Sequence, residues 1–133
     1  LAEAIALVDK FPEQRFVLDH IAKPNIKAKE RDLEWRQNIT KLARRQNVYC
    51  KVSGMVTEAD WQNWRPNDMK FYLDTVFESF AIDKLMFGSD WPVCTLAAHY
   101  KETKQIVADY TSQLTETQRK AVFELNAITC YQL

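Results

Sequence analysis

Asp90 is the residue most able to do chemistry. It follows the apolar run Leu85-Met86-Phe87 and the break Gly88-Ser89, and it is flanked by Trp91 and Pro92. Proline has no N–H to extend a sheet ladder, so the run reads as a strand that stops here. A carboxylate therefore stands where a buried strand gives way to a loop, beside a large aromatic wall. In α/β proteins such strand ends are where reactive groups gather. The competing assignment is purely local: an aspartate here can cap the following turn through its side chain. Two other strand-like runs end the same way. Arg15–His20 closes on Asp19 and His20, with Lys23 just beyond, and Val48–Ser53 carries Lys51 and Ser53 up to Gly54. A carboxylate and an imidazole brought to one rim are the raw material of general acid–base catalysis or of metal ligation.

Each of these residues also has an ordinary structural explanation. A strand-end histidine is often a satisfied structural group, and a mid-strand lysine can reach to an edge. Ser53 lacks the G-x-S-x-G surroundings of a nucleophile and is expected to bond backbone. Cys94 has no evident partner and reads as a small buried thiol. His99 sits near a helix start, where it is expected to be solvated.

The elements that position these groups alternate. Residues 1–10 carry a helical apolar stripe ended by Phe11-Pro12, and a helix is predicted over 30–46 from Leu33, Trp35, Ile39, Leu42 and Ala43. The tryptophan-rich segment 56–66 reads as irregular, with Trp61 and Trp64 as anchors. A further helix is predicted from an Asn67-Asp68 cap to Phe80, another over about 96–112 including Tyr100, and a last one from the Thr115–Gln118 capping box with Val122, Phe123 and Leu125 on its apolar side. Strands alternating with helices imply a parallel sheet with crossover helices. The strand ends at His20, Gly54 and Asp90 are spaced for the ~30 or more residues of a βαβ unit. A (β/α)8 barrel needs ~250 residues, so 133 residues are enough for about three βα units and a final helix of one.

Composition narrows the partners. Eighteen basic and eighteen acidic side chains give zero formal charge, which offers nucleic acid or an anionic membrane no electrostatic purchase. No apolar run approaches the ~20 residues of a membrane span. Three widely spaced cysteines form neither a disulfide framework nor a zinc knuckle, so reduced thiols and a cytoplasmic location are expected. The opening Leu1 inside a helical pattern and the presence of only two glycines suggest part of something longer. The outer strands Phe16–Leu18 and Leu85–Phe87 are both apolar, as though each expected a neighbour. A homo-oligomer that pairs these edges is therefore one expectation.

The segments FVLDHIAKP, NVYCKVSGM and DKLMFGSDWPV, in that order, and the closing FELNAITCYQL resemble the C-terminal part of the amidohydrolase-2 family, nearest to its sugar-lactone hydrolases. The resemblance covers about residues 11–133. It implies a (β/α)8 barrel that hydrolyses a small molecule, with a lactone C–O bond the leading expectation. A decarboxylase or amide hydrolase of the same fold, or a non-catalytic half-barrel scaffold, are the alternatives. By match, Asp90 would be the aspartate of the eighth strand, accepting the proton of the attacking water or ligating a divalent metal such as zinc. His20 would be the sixth-strand histidine that polarises the carbonyl, and Lys51, Trp91 and Lys23 would contact substrate. The family's first strand carries a His-x-His pair that this chain lacks, so no metal site is assigned; Asp90 is the one ligand foreseen if a metal binds.

Overall fold

In the computed structural model, which describes residues 1–133, three short strands form one parallel sheet in the order β1 (Phe16–Leu18), β2 (Val48–Val52), β3 (Leu85–Phe87). Phe16 pairs with Val48 and Leu18 with Cys50; Cys50 in turn pairs with Leu85 and Val52 with Phe87. Parallel strands need crossovers, and helices supply them. Helix α1 (Ala2–Lys10) precedes the sheet, α2 (Leu33–Leu42) joins β1 to β2, and α3 (Met55–Glu58) with α4 (Pro66–Ser79) joins β2 to β3. Helix α5 (Tyr100–Tyr110) follows β3. The chain then closes through α6 (Glu116–Lys120), a π-helical stretch at Ala121–Leu125, and α7 (Asn126–Tyr131).

Side chains alternate across a strand, and β2 shows what each face does. Val48, Cys50 and Val52 enter the main core with Ile39, Leu42, Met69, Val76 and Leu85. Tyr49 lies on the other face in a small cluster with Met86 and Cys130, against which Val17 and Ala127 pack. Lys51 shares the parity of Tyr49, and so does Ser53 just past the strand. The first face builds the main core, while the other carries a small apolar cluster against α7 and, toward the strand end, the polar Lys51 and Ser53. Asn126 ties the C-terminal helix to the sheet by donating to the carbonyls of Ile82 and Leu85 at 2.7 and 2.8 Å.

Several boundaries differ from the sequence reading. Helix α2 starts later than residue 30 because Asp32 caps it, accepting from Trp35 N–H at 2.9 Å. Leu33, expected in the buried stripe, is 58% exposed; two residues from Trp35, it lies on the opposite side of the helix. The segment 56–66 is helical at its start, in α3. Helix α4 begins at Pro66, and Asp68 accepts the backbone N–H of Arg65 at 2.8 Å. The helix predicted from 96 begins at Tyr100, after a 3-10 turn at Val93–Leu96, and leaves Tyr100 exposed while Ile106 and Val107 are buried. Thr115 and Gln118 form the expected capping box, although Leu125 further along is exposed. No helix is long and apolar enough to cross a membrane.

Candidate active site

The first strand run stops at Leu18, two residues before the expected end, and the chain turns sharply. His20, Ile21, Ala22 and Lys23 all have positive φ, between 45° and 62°. Four consecutive non-glycine residues in the left-handed region are costly, more so for a β-branched isoleucine. Tertiary contacts hold the turn. Ile21 is fully buried, its carbonyl accepts from Trp35 Nε1 at 2.7 Å, and Lys23 N–H donates to the His20 carbonyl at 2.8 Å. The turn lifts His20 over the end of β2.

Asp90 reaches the same place from β3, with φ at 58° and the cis Trp91–Pro92 bond following it. Its Oδ1 lies 3.6 Å from His20 Nε2, and its Oδ2 is 3.3 Å from the Thr57 hydroxyl. The capping alternative for Asp90 fails. The turn is capped by Ser89, whose Oγ accepts from Trp91 N–H at 3.2 Å. His20 Nδ1 lies 2.9 Å from Ser53 Oγ on the other side of the ring. Asp19 completes the group, with Oδ2 3.7 Å from His20 Nε2 and Oδ1 3.1 Å from Lys51 Nζ.

Asp19, His20, Lys51, Ser53 and Asp90 line a cleft of about 270 Å³ at the strand ends, with Trp91 and Tyr131 at its sides. Two glycines shape it. Gly54 has φ at +70°, and a Cβ there would come within 2.6 Å of His20 Cβ. At Gly88 a Cβ would stand 3.0 Å from Ser53 Cβ. Burial pulls the Lys51 ammonium down in pKa, but hydrogen bonds and charge from Asp19 and Tyr131 outweigh it, and the net shift is upward. Lys51 is therefore a fixed cation beside the cleft.

Of the expected residues, His20, Asp90, Lys51 and Trp91 converge here. Lys23 does not line the cleft. The left-handed turn carries it to Glu58, where Nζ and Oε1 are 3.5 Å apart, and its side chain is mostly exposed. Ser53, expected on backbone, instead bonds the imidazole. Asp19 and Thr57 are further additions to the group. Cys94 is fully buried as expected, while His99 is exposed at the start of α5. Trp64 is the anchor, packed on the core and donating to the Ala97 carbonyl at 2.8 Å, whereas Trp61 is 49% exposed and donates only to the nearby Thr57 carbonyl. A larger cleft of about 890 Å³ lies between α2 and α4; charged side chains of both signs line it, without His, Ser or Cys.

A histidine and an aspartate meeting at the ends of parallel strands, behind a lysine and a tryptophan, can polarise a carbonyl and activate water against it. Comparison with known proteins places the chain in a family. A family model for amidohydrolases matches residues 1–133. The chain belongs to the amidohydrolase family. This amidohydrolase chain is 41% identical over 126 residues to an L-fucono-1,5-lactonase of Burkholderia multivorans, covering 88% of its own length and 43% of that protein. The crystal structure of a Burkholderia multivorans amidohydrolase with bound HEPES matches it with a TM-score of 0.92 at 38% identity, over 99% of this chain and 49% of that one. A second crystal form of that relative, with zinc bound, gives 0.91. The chain thus spans less than half the length of these relatives.

Zinc takes three or four protein ligands. In this chain no three His, Cys, Asp or Glu side chains converge as a metal-holding group. Asp90, the one ligand foreseen, is engaged with His20 and Thr57. The residues present do not make up a metal site by themselves.

Proposed function

We propose that this chain forms the C-terminal part of a (β/α)8-barrel hydrolase and supplies the general base and the carbonyl-polarising imidazole for opening a sugar-acid lactone. One observation carries the reading: His20 and Asp90, from the ends of β1 and β3, stand 3.6 Å apart in a cleft that also holds Lys51. The 41% identity to an L-fucono-1,5-lactonase supports the choice of a lactone.

In this mechanism the lactone carbonyl oxygen sits against His20 Nε2–H and a water sits against Asp90. Asp90 takes a proton from the water as its oxygen attacks the carbonyl carbon. The negative charge that grows on the carbonyl oxygen is stabilised by the His20 N–H. The tetrahedral intermediate collapses with cleavage of the ring C–O bond, and the departing alkoxide recovers the proton from Asp90. Lys51 meets the hydroxyl or carbonyl oxygens of the sugar acid, and Trp91 walls its apolar face.

The test is acid release from L-fucono-1,5-lactone in a pH-stat, with wild-type protein and Asp90→Asn. The expected result is hydrolysis that falls about 10²–10⁴-fold in the variant. Equal rates in the two proteins would remove Asp90 from the chemistry.

A second reading draws on a different observation: β1 and β3 each have a strand neighbour on one side only. Open edges pair readily, and a non-catalytic unit that assembles through them is the alternative. A dimer by light scattering, with no lactone hydrolysis, would favour it.

A further inference from the structure

Behind His20 lies a residue whose side chain serves nothing else. Ser53 is 2% exposed, and its Oγ has a single partner, His20 Nδ1 at 2.9 Å. On the opposite edge of the ring, Nε2 faces two acceptors, Asp90 Oδ1 at 3.6 Å and Asp19 Oδ2 at 3.7 Å. Lys51, 3.1 Å from the other Asp19 oxygen, is the one cation in this array.

We infer that Ser53 is a positioning residue that holds His20 by Nδ1, so that the imidazole presents a protonated Nε2 to the cleft. A neutral imidazole has one N–H and one lone pair. Placing the lone pair at Nε2 would set it against two carboxylates, so the proton belongs there and Nδ1 is the acceptor. The Ser53 hydroxyl then donates to Nδ1. This arrangement also uses the hydroxyl's own proton, which has no other acceptor.

The packing is built for this contact. A Cβ at Gly88 would press on Ser53, at 3.0 Å from its Cβ and 3.3 Å from its Oγ. A Cβ at Gly54 would collide with His20 at Cβ and Cγ, 2.6 and 2.9 Å away. The two glycines leave room for the serine and the ring to meet in one orientation. Removing the hydroxyl would leave this ring nitrogen without its one partner in the structure.

The inference rests on the proposed role of His20, but its first readout is independent of that role. The experiment is ¹⁵N NMR of ring-labelled histidine in the purified protein, with His20 assigned through His20→Gln and the exposed His99 as a comparison. In wild type, neutral His20 is expected to show a pyrrole-type Nε2 and a pyridine-type Nδ1 shifted by an accepted hydrogen bond. Ser53→Ala should move the Nδ1 resonance to the unbonded pyridine position. It should also lower kcat about tenfold, the equivalent of one hydrogen bond, with KM changed by less than about twofold. A wild-type ring protonated on Nδ1, or an Nδ1 resonance unmoved in Ser53→Ala, overturns the inference. If Ser53→Ala does not fold, the wild-type spectrum still decides where the proton lies. If the spectra behave as expected and no lactone is hydrolysed, the positioning role stands and the proposed reaction falls.

Discussion

His20 Nε2 and Asp90 Oδ1 lie 3.6 Å apart although they come from the two outer strands of the sheet, with β2 between them. Strand β2 does more than separate them. Ser53, just past its end, meets the His20 ring, and Thr57, one turn into α3, meets Asp90. Groups that act as a unit lose function non-additively. Asp90→Asn and His20→Gln are each expected to lower lactone hydrolysis by about 10²-fold or more. The double variant should be little worse than the more damaging single one. Steady-state kinetics on the four proteins of the cycle checks this; simple multiplication of the two losses would mean that the residues act separately.

Gly54 is required twice over. Its φ of +70° is strained for any residue with a Cβ, and the added methyl would lie 2.6 Å from His20 Cβ. Gly54→Ala is expected to destabilise the fold by about 1–3 kcal/mol from the backbone conformation alone, and to displace His20 as well. Urea denaturation measures the first effect and kcat the second. A variant of wild-type stability and activity would show that the turn relaxes without cost.

Much of this arrangement is legible in the sequence, because the apolar runs Phe16–Leu18 and Leu85–Phe87 are short and bounded by breaks, as strands are, although β1 is only half-buried. Once strands are parallel, their C-terminal ends share a rim, and Asp90, His20 and Lys51 come together for that reason. The left-handed turn from His20 to Lys23 was not legible: no glycine or asparagine marks it, and the one side-chain bond that holds it comes from Trp35, far along the chain. Lys23 was misplaced as a consequence, since the turn delivers it to Glu58. Ser53 had a readable signal in the period-2 alternation that puts it on the same face as Lys51. Its bond to an imidazole on a neighbouring strand end is a tertiary event. Leu33 shows the opposite error, a hydrophobic residue counted as core because of its type while its angle on the helix pointed it to solvent.

Lys51 gives the site an alkaline limit. Its pKa is raised in the folded protein despite the opposing effect of burial, through Asp19 and Tyr131. A raised folded value means that the contribution to stability is fully present below the unfolded lysine value, 10.5, and is lost as pH rises through the folded one. Thermal unfolding followed from pH 8 upward, at about half-unit steps, should therefore show a decline above pH ~10.5 that is shallower in Lys51→Met. Parallel curves for the two proteins would mean that the Asp19–Lys51 pair contributes nothing to folding.

Asn126 fixes the C-terminal helix to the sheet that carries the site. Its amide nitrogen donates to two carbonyls, Ile82 at 2.7 Å and Leu85 at 2.8 Å, and the residue is buried. Asn126→Ala deprives both carbonyls of this donor at a cost of about 1–3 kcal/mol each. Asn126→Asp is the sharper test. It keeps the size of the side chain but faces a carboxylate oxygen toward two carbonyl oxygens, so at neutral pH it should destabilise more than alanine does. Protonating that carboxylate at lower pH restores one donor, and the gap between the two variants should then narrow. Denaturation midpoints at about pH 7 and pH 4.5, on either side of a buried aspartate's raised pKa, make the comparison. If Asn126→Asp matches wild type at neutral pH, the C-terminal segment is held by Phe123, just before α7, against Phe87 and by the packing of Cys130 and Ala127, not by the asparagine.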